Sequence, residues 1–356
     1  MKKRDIKDFS RQELEAWLKE HKIAPYRAGQ IFKWVYIRQA DSFEEMTDLG
    51  KELRALLVKY LTINRLEKAN VEISSDGTRK YLFRLSDGEF TETVLIPGKA
   101  RKTLCISSQV GCAQGCKFCL TAQGGFKRNL TAGEIVDQVR DVLHDLPRAE
   151  GAADTEKTFQ NIVFMGMGEP LANLPRVLTA LSIITDGDYG LRFSSRRVTL
   201  STCGIVGRLP ELGEKSPVNL AVSLNATDNK TRSFLMPIND TYPIETLIEA
   251  LRTYPLSQRE KITIEYILMS EINDTDADAA RLIKLLLPLQ VKINLIPFNE
   301  HEGSPFKRPT DDVVDHFLQL LHNAGYTAIV RKSMGQDISA ACGQLRANQI
   351  KERTED

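Results

Sequence analysis

The sequence of 356 residues shows no pattern that predicts export, a membrane anchor or a disulfide framework. No apolar run follows the basic N-terminal stretch MKKRDIKDFS, so a secretory signal is not predicted. The most apolar helical stretch, RLIKLLLPLQV, is interrupted by Lys284 and Pro288 and is too short to span a bilayer. The six cysteines show no paired spacing, which argues against a disulfide framework and favours a reducing environment. We therefore expect a cytoplasmic protein that does not associate with membranes.

An excess of either charge is also missing. The 48 Lys and Arg residues and 47 Asp and Glu residues leave a formal net charge of +1, so a nucleic-acid surface must come from local clusters. The hydrophobic content of 42% and the charged content of 27% are those of ordinary soluble proteins. The length is sufficient for one barrel-sized domain and an accessory domain, which favours an enzyme over a small binding module.

Cysteine is scarce, but half of it is concentrated in one loop. Cys112, Cys116 and Cys119 form a C-x3-C-x2-C pattern within CISSQVGCAQGCKFCLTAQGGF. Three thiolates on one short loop can hold three irons of a 4Fe–4S cluster and leave the fourth iron open, whereas a cluster held by four cysteines mainly carries electrons. An open iron can bind the amino and carboxylate groups of S-adenosylmethionine (SAM). One electron from the cluster would then cleave SAM and release a 5′-deoxyadenosyl radical.

The alternative for this loop is a structural zinc site with Cys105 as the fourth thiolate. Structural zinc usually draws on two short Cys or His pairs separated by a longer spacer. The remaining cysteines, Cys105, Cys203 and Cys342, are isolated in the sequence. The spacing therefore favours the radical cluster, and Phe118 before the third cysteine also fits the radical-SAM pattern.

Hydrophobic periodicity divides the chain into an accessory region (1–90), a core (91–345) and a polar tail (346–356). The accessory region begins with helical patterns to about residue 65 and continues with strand patterns joined by Asp-Gly turns. From about residue 103, strand-like runs alternate with helical stretches, which predicts parallel βα units. Six units are too few for a closed barrel of eight strands. The predicted fold is α/β, a partial (β/α)6 TIM-like radical-SAM barrel with a small helical N-terminal domain and a short β segment.

Polar or glycine residues follow most of the predicted barrel strands. They are the cysteine loop, the sequence MGMGEP, Ser201 with Thr202, Ser223 with Asn225, and Asn299. The carboxyl ends of parallel strands form one rim, and this rim is where such folds bind ligands. The sequence therefore predicts a single ligand site on the rim.

Six segments together resemble the RlmN family, the radical-SAM methyltransferases that act on carbon 2 of adenine in ribosomal RNA and tRNA. They are CISSQVGCAQGCKFCLTAQGGFKRNL, MGMGEPLAN, RRVTLST, MPIND, INLIPFN and DISAACGQL, and the resemblance extends from about residue 10 to residue 347. It implies a 4Fe–4S cluster on Cys112, Cys116 and Cys119, with SAM bound at the open iron. The related Cfr group methylates carbon 8, but MGMGEP and IPFN resemble the carbon-2 group.

The resemblance also implies roles for three residues outside the cluster loop. Cys342 receives a methyl group from one SAM, and the radical from a second SAM removes hydrogen from that methyl group. The resulting carbon radical adds to adenine carbon 2, which is electron-poor because it lies between two ring nitrogens. Cys105 then helps to resolve the enzyme–RNA adduct and leaves a disulfide with Cys342. Glu92 matches the position of the proton acceptor, whereas Cys203 has no family role and is expected to be structural.

For SAM, the resemblance implies contacts with a set of residues on the predicted rim. A carboxylate suits the methionine ammonium group, while hydroxyl and amide groups suit the ribose and the carboxylate. This chain has Asn where the family usually has the His of Ser-Leu-His, so the third position of that segment lacks an imidazole. The implied contacts are Gly168, Glu169, Ser201, Ser223, Leu224, Asn225 and Asn299.

The expected partners are 23S rRNA, tRNA or both, and an electron donor such as flavodoxin with its reductase; a monomer is expected. Basic clusters that flank the predicted site loops favour RNA binding through phosphate contacts. Two alternatives stay open: Cfr-like methylation of adenine carbon 8, and a zinc-stabilised RNA-binding protein without catalysis. The methylated nucleoside that forms would distinguish carbon-8 from carbon-2 methylation. The iron content would distinguish a zinc-stabilised RNA-binding protein from a radical-SAM enzyme. The basic clusters are Lys99, Arg101 and Lys102, then Lys127 and Arg128, then Arg196 and Arg197.

Overall fold

The structure, a computed structural model, describes residues 3–146, 158–301 and 303–346. The predicted polar tail lies, from residue 347 onwards, outside the described residues. The described helices are α1 (Arg11–Glu20), α2 (Arg27–Phe32), α3 (Lys51–Tyr60), α4 (Leu120–Gln123), α5 (Ala132–Asp145), α6 (Leu174–Thr185), α7 (Leu209–Lys215), α8 (Asn229–Leu235), α9 (Ile244–Arg252), α10 (Asp276–Leu286) and α11 (Asp311–Asn323). The described strands are β1 (Arg4–Asp5), β2 (Leu61–Thr62), β3 (Glu67–Ile73), β4 (Arg79–Arg84), β5 (Phe90–Ile96), β6 (Thr103–Cys105), β7 (Gln109–Gly111), β8 (Phe126–Asn129), β9 (Asn161–Phe164), β10 (Val198–Thr202), β11 (Asn219–Ser223), β12 (Ile262–Leu268), β13 (Val291–Pro297) and β14 (Ala328–Val330).

A ten-stranded sheet organises the fold, with the strand order β14-β13-β12-β11-β10-β9-β6-β5-β4-β3. From β6 through β9 to β14, each strand is parallel to its neighbour. Helices α5 to α11 lie between successive parallel strands, so the chain makes six βα units. Apolar residues such as Ile162, Leu200 and Ile264 are buried in these strands, as expected where helices cover a parallel sheet. The predicted α/β fold with a partial barrel is confirmed.

Strands β3, β4 and β5 extend the same sheet in antiparallel fashion beyond β6. Asp76-Gly77 and Asp87-Gly88 supply the two hairpin turns, and both glycines adopt positive φ angles. Val94 of β5 pairs with Cys105 of β6. Since β5 runs antiparallel to β6, its early residue Glu92 lies toward the carboxyl-end rim of the parallel strands. The division into domains at residue 90 stays a prediction.

Ion pairs formed by two buried cations hold the N-terminal region against α5. Lys7 is fully buried, and its Nζ lies 2.9 Å from Asp5 and 3.4 Å from Asp137 of α5. Arg140, also fully buried, donates a hydrogen bond to Asp41 at 3.0 Å. A buried charge without a partner is strongly destabilising, so these pairs fix where the N-terminal region packs on the barrel. Within the described ranges, none of the helices combines the length and apolar character needed to cross a membrane.

The segment after β14, which we call the C-terminal loop (331–346), crosses the rim of the barrel. Asn299, just after β13, donates from Nδ2 to the carbonyl oxygen of Cys342 at 3.2 Å. Thr121 of α4 donates from Oγ1 to the carbonyl oxygen of Leu345 at 2.6 Å. Because α4 follows the cluster cysteines directly, these bonds place Cys342 beside the cluster loop.

Candidate active site

The three cysteines of the cluster loop line one cavity at the carboxyl-end rim. Cys112 directly follows β7, and Cys119 directly precedes α4. Gly111 has a φ of +74°, and a Cβ at this position would lie 1.8 Å from the carbonyl oxygen of Gly125. Glycine is therefore needed for β7 and β8 to approach so closely and to present the thiols on one side.

The donor set fits an iron–sulfur cluster better than a single zinc ion. In the described parts of the chain, no three His, Cys, Asp or Glu side chains converge closely enough to hold one metal ion. Three thiols from one loop that line one cavity suit a cluster, in which each thiolate binds a different iron. Cys105, the fourth thiolate of the zinc alternative, lines a different cavity. Burial raises the pKa of Cys112 to about 12, so metal binding must displace a proton from this thiol.

The sequence MGMGEP after β9 lies directly against the strand that leads into the cluster loop. Gly168 has a φ of +97°, and a Cβ there would lie 2.5 Å from Cβ of Gln109. The Glu169 side chain is buried and accepts hydrogen bonds from Thr202 Oγ1 at 2.8 Å and from the Cys203 N–H at 2.8 Å. Burial raises the pKa of Glu169, and the two donors oppose that rise. The carboxylate is thus held in one orientation at the cavity wall, next to the cysteines.

Two serines on neighbouring strands share a buried carboxylate. Ser201 of β10 donates from Oγ to Oε2 of Glu265 at 2.6 Å, and Ser223 of β11 donates to the same oxygen at 3.4 Å. Glu265 comes from β12, so three successive strands place polar atoms at one point of the cavity. Burial raises the pKa of Glu265, while the Ser201 hydrogen bond lowers it. Ser201, Ser223 and Glu265 could therefore form hydrogen bonds with the hydroxyl groups of a nucleoside.

A second cavity adjoins the first and is lined by Cys105 and Cys342, the two thiols that are predicted to be catalytic. Cys105, Asn299 and Cys342 line this second cavity, and Cys342 and Glu265 line both. The Cys342 side chain is open to the cavity space although protein surrounds it, so burial and the charge of Glu265 raise its pKa to about 11. Burial and the nearby Cys342 also raise the pKa of Cys105. Both thiols are therefore protonated at neutral pH and need a proton acceptor before they react.

Two family descriptions match this chain. Residues 4–63 match the ribosomal RNA large subunit methyltransferase N-terminal domain, and residues 106–283 match the radical SAM superfamily. The dual-specificity RNA methyltransferase RlmN of Desulfosudis oleivorans is 58% identical over 344 residues, which cover 97% of this chain and 91% of that protein. The protein of the same name in Geobacter sulfurreducens is 54% identical over 342 residues, covering 96% of this chain and 92% of that protein. The chain belongs to the RlmN family.

A solved structure supports the same assignment. The radical SAM methyltransferase from Sphaerobacter thermophilus superposes with a TM-score of 0.88 at 43% identity, covering 97% of this chain and 100% of that chain. As a member of the RlmN family, the protein uses a 4Fe–4S cluster and SAM. Cys112, Cys116 and Cys119, which line one cavity, would hold this cluster, and three protein ligands would leave one iron available to SAM.

Three of the SAM contacts implied by the RlmN resemblance do not line the cluster cavity: Asn299 lines only the second cavity, and Leu224 and Asn225 line neither. Leu224 and Asn225 are both buried. Oδ1 of Asn225 accepts a hydrogen bond from the N–H of Ile267 at 2.9 Å, and its carbonyl oxygen accepts one from Asn273 Nδ2 at 2.8 Å. These bonds join the end of β11 to the end of β12 and to the turn after it. The Asn that replaces the family's His therefore has a structural task here, and its contact with SAM stays a prediction.

Glu92 lies in a third, polar cavity of about 670 Å³ on the antiparallel side of the sheet. Its side chain is 4% exposed, and Oε1 lies 3.6 Å from Nζ of Lys80. Burial raises the pKa of Glu92 to about 7, although the charge of Lys80 opposes that rise. Gln344 lines the Glu92 cavity and Leu345 lines the Cys105 cavity, so the C-terminal loop forms a wall between the two.

The basic clusters are distributed differently from the prediction. Lys99, Arg101 and Lys102 precede β6, and Arg196 and Arg197 precede β10, so both groups lie at the amino ends of parallel strands. The expectation that they flank the site loops was wrong, because the site is at the opposite, carboxyl ends of these strands.

The third basic cluster, by contrast, lies on β8 beside the cluster loop. Arg128 forms ion pairs with Asp87 at 2.5 Å and Glu134 at 2.7 Å, so its charge is largely neutralised within the protein. Lys127 is exposed on the same strand. Of the three clusters, this one is placed to meet RNA that approaches the cluster cavity.

Sequence reasoning missed two charged residues near the site, Glu265 and Lys80. Glu265 lies in the interior of β12, whose other residues are mainly apolar, and Lys80 is the first of four successive buried residues of β4. A charge within such a strand is the one signal that could have identified them, because burying it requires a specific partner.

Proposed function

We propose that this chain methylates carbon 2 of an adenine in 23S rRNA and in tRNA, with the methyl group carried on Cys342. The observation that carries the proposal is the position of Cys342, which borders both the cavity of the cluster cysteines and the cavity of Cys105. One thiol thus faces the cofactor side and also a second thiol. The name of the relatives, dual-specificity RNA methyltransferase, supports two classes of RNA substrate.

The first half of the reaction takes place on Cys342. Its thiol loses a proton and takes a methyl group from SAM, so that a bond to Sγ forms while the bond to the sulfonium breaks. Cys112, Cys116 and Cys119 would hold the cluster, which would supply the electron that turns a second SAM into a source of a hydrogen-abstracting radical. The methyl group on Cys342 would be the group from which the hydrogen atom is taken. The carbon on Sγ then adds to carbon 2 of the adenine, a position too electron-poor to attack an ordinary electrophilic methyl group.

Glu92 and Cys105 complete the transfer. The adduct radical would return one electron to the cluster, which cleavage of SAM would have left oxidised, and the carboxylate of Glu92 accepts the proton from carbon 2. The Cys105 thiolate attacks Sγ of Cys342, so a disulfide forms as the bond between Sγ and the transferred carbon breaks. The released carbon takes up a proton and becomes the methyl group of the RNA.

The remaining partners follow from this chemistry. A small electron carrier of the flavodoxin type, with its reductase, would supply the electron, and the enzyme would act as a monomer because all the proposed catalytic residues come from one chain. Cys105 and Cys342 must be thiols at the start of each turnover, which suits a reducing cytoplasm.

The test is anaerobic incubation of the reconstituted enzyme with SAM, a reductant and unmodified RNA, followed by mass spectrometry of the nucleosides. Formation of 2-methyladenosine in both an rRNA fragment and a tRNA is expected. Formation of 8-methyladenosine would instead establish the Cfr-like alternative. A colourless protein with zinc, no iron and no methylated nucleoside would establish the RNA-binding alternative.

A further inference from the structure

Lys80 is a buried lysine at the second residue of β4. It lies on β4 with 8% of its surface exposed, and its Nζ contacts groups from three parts of the chain. Nζ lies 3.6 Å from Oε1 of Glu92 on β5 and 3.1 Å from Oε1 of Glu72 on β3. It also donates a hydrogen bond of 2.6 Å to the carbonyl oxygen of Ile338 in the C-terminal loop. A buried ammonium group is retained where it has such partners.

The turn between β3 and β4 holds the same loop at two further points. Ser74 donates from Oγ to Oδ1 of Asp337 at 2.6 Å. The N–H of Gly335 donates to Oδ2 of Asp76 at 2.7 Å. Ile338 is thus the third anchoring point of the loop on this hairpin, and it lies four residues before Cys342. Lys80 differs from the other two anchors because it also contacts the proposed proton acceptor.

We propose that Lys80 is a positioning residue that couples the carboxylate of Glu92 to the loop carrying Cys342. The proposal rests on the function proposed above, in which both residues act on the same adenine carbon. A single ammonium group contacting both sides would keep the proton acceptor ionised and hold the methyl-carrying loop at a fixed distance from it.

Lys80 and Glu72 shift the pKa of Glu92 in opposite directions. The positive charge of Lys80 lowers the pKa of Glu92, and the negative charge of Glu72 raises it. Three further ionisable residues, Glu300, His301 and Arg346, line the same cavity. An opposite charge within about 4–6 Å typically lowers a carboxyl pKa by about 1–3 units. The substitutions Lys80→Met and Glu72→Gln should therefore move the pH dependence of Glu92 in opposite directions.

The experiment measures how fast the covalent protein–RNA adduct resolves in a single turnover of the holoenzyme, between about pH 6 and pH 9. We expect Lys80→Met to move the midpoint upward by about one unit or more and Glu72→Gln to move it downward. Lys80→Arg, which keeps the charge, should stay near wild type. Lys68→Met is the matched control, because Lys68 lies on the neighbouring strand β3 and pairs with Asp145 at the protein surface. Its profile should superimpose on that of the wild type.

The outcomes separate the two proposals. If Lys80→Met resolves the adduct with the wild-type midpoint, or if Glu72→Gln shifts the midpoint in the same direction as Lys80→Met, Lys80 has no coupling role. A wild-type enzyme that forms no methylated adenine would contradict the proposed function instead. In that case infrared titration of the Glu92 carboxyl, identified by its loss in Glu92→Gln, still tests the coupling: an unchanged midpoint in Lys80→Met would overturn it. Hydrogen exchange at residues 335–340 should be faster in Lys80→Met than in Lys68→Met, and equal exchange would refute the loop contact.

Discussion

The N–H of Leu120 donates a hydrogen bond of 2.8 Å to the carbonyl oxygen of Gly343. Leu120 directly follows Cys119, the last cluster cysteine, and Gly343 directly follows Cys342. Residues more than 200 positions apart in the sequence are therefore adjacent, and the proposed methyl carrier is fixed to the peptide that holds the cluster. The hydrogen bond joins the residue after Cys119 to the residue after Cys342, so the proposed methyl carrier is held beside a proposed cluster ligand.

Replacing any one of Cys112, Cys116 or Cys119 with Ala should abolish both SAM cleavage and RNA methylation. Each thiolate holds one iron, so a cluster with two protein ligands would be lost or inactive. Iron analysis after anaerobic reconstitution, with about four irons expected per wild-type chain, checks the assignment. Cys203→Ser is the control, because Cys203 lines the same cavity and is expected to be structural. Full iron content and normal deoxyadenosine formation in a cluster variant would contradict the prediction.

Variants that lack Cys342 or Cys105 should stop the reaction at different stages. Cys342→Ala should give neither methylated RNA nor a protein-bound methyl group, because it lacks the carrier. Cys105→Ala should load the methyl group and then stall, with protein covalently attached to RNA. A denaturing gel with labelled RNA should show this as a shifted band that is absent from the double variant. Normal turnover by Cys105→Ala, or a shifted band without Cys342, would rule out the two-cysteine mechanism.

The rate of adduct resolution should rise with pH through about 7 and then level off. Burial raises the pKa of Glu92 to about 7, so the carboxyl is protonated below this pH and can accept a proton only above it. Glu92→Gln should accumulate the adduct at every pH while still loading a methyl group on Cys342. Quantification of the shifted band against pH provides the measurement. A resolution rate that falls with rising pH would exclude Glu92 as the acceptor.

Glu265→Gln should weaken SAM binding by about tenfold, which corresponds to about 1.4 kcal/mol. The carboxylate accepts a hydrogen bond from Ser201 at 2.6 Å and lines the cluster cavity, and hydrogen bonds to charged groups are stronger than those to neutral amides. Equilibrium binding of SAM to the reconstituted enzyme provides the measurement. Glu249→Gln, on the exposed face of α9 beside Arg252, should bind SAM as the wild type does. If the two variants bind SAM with equal affinity, Glu265 does not contribute to SAM binding.

Gly168→Ala should destabilise the protein by about 1–3 kcal/mol and reduce SAM binding. The residue has a φ of +97°, and the added Cβ would lie 2.5 Å from Gln109 Cβ, so the strand leading to the cluster loop must shift. Gly187→Ala is the matched control, since a Cβ there meets no atom within 4 Å. Thermal unfolding of the two variants compares them directly. An equal melting temperature would show that the close approach at Gly168 is not needed.

The sequence predicted those features that depend on local patterns. The cysteine spacing identified the cluster loop, and the alternation of strand and helix patterns identified the partial barrel. The rim was predictable because parallel strands end on the same side. The position of Glu92 was not, because its place on the rim depends on β5 pairing antiparallel with β6. The basic cluster at Arg196 and Arg197 was misplaced for a related reason: closeness in sequence to a strand does not say which end of the strand carries the site.

Asn225 shows a different limit. Its sequence neighbourhood resembles a ligand-binding segment. Its side-chain oxygen, however, accepts a hydrogen bond from the N–H of Ile267, and its main-chain carbonyl oxygen accepts one from Asn273. Whether an amide faces a ligand or a neighbouring strand depends on the path of the backbone, and Asn225 adopts a left-handed φ of +56°. A pattern of residue types does not contain that information.

The wall formed by the C-terminal loop has a kinetic consequence. Cys342 faces the cluster cavity on one side of the loop, whereas Gln344 faces the polar cavity that contains Glu92 on the other. If SAM enters through the cluster cavity and the RNA base through the cavity of Glu92, the two substrates do not compete for one entrance. Saturating RNA should then leave the apparent affinity for SAM unchanged, and unreactive RNA should act as a noncompetitive inhibitor with respect to SAM. Separate entrances on the two sides of the C-terminal loop would thus give the enzyme freedom in the order in which its substrates arrive.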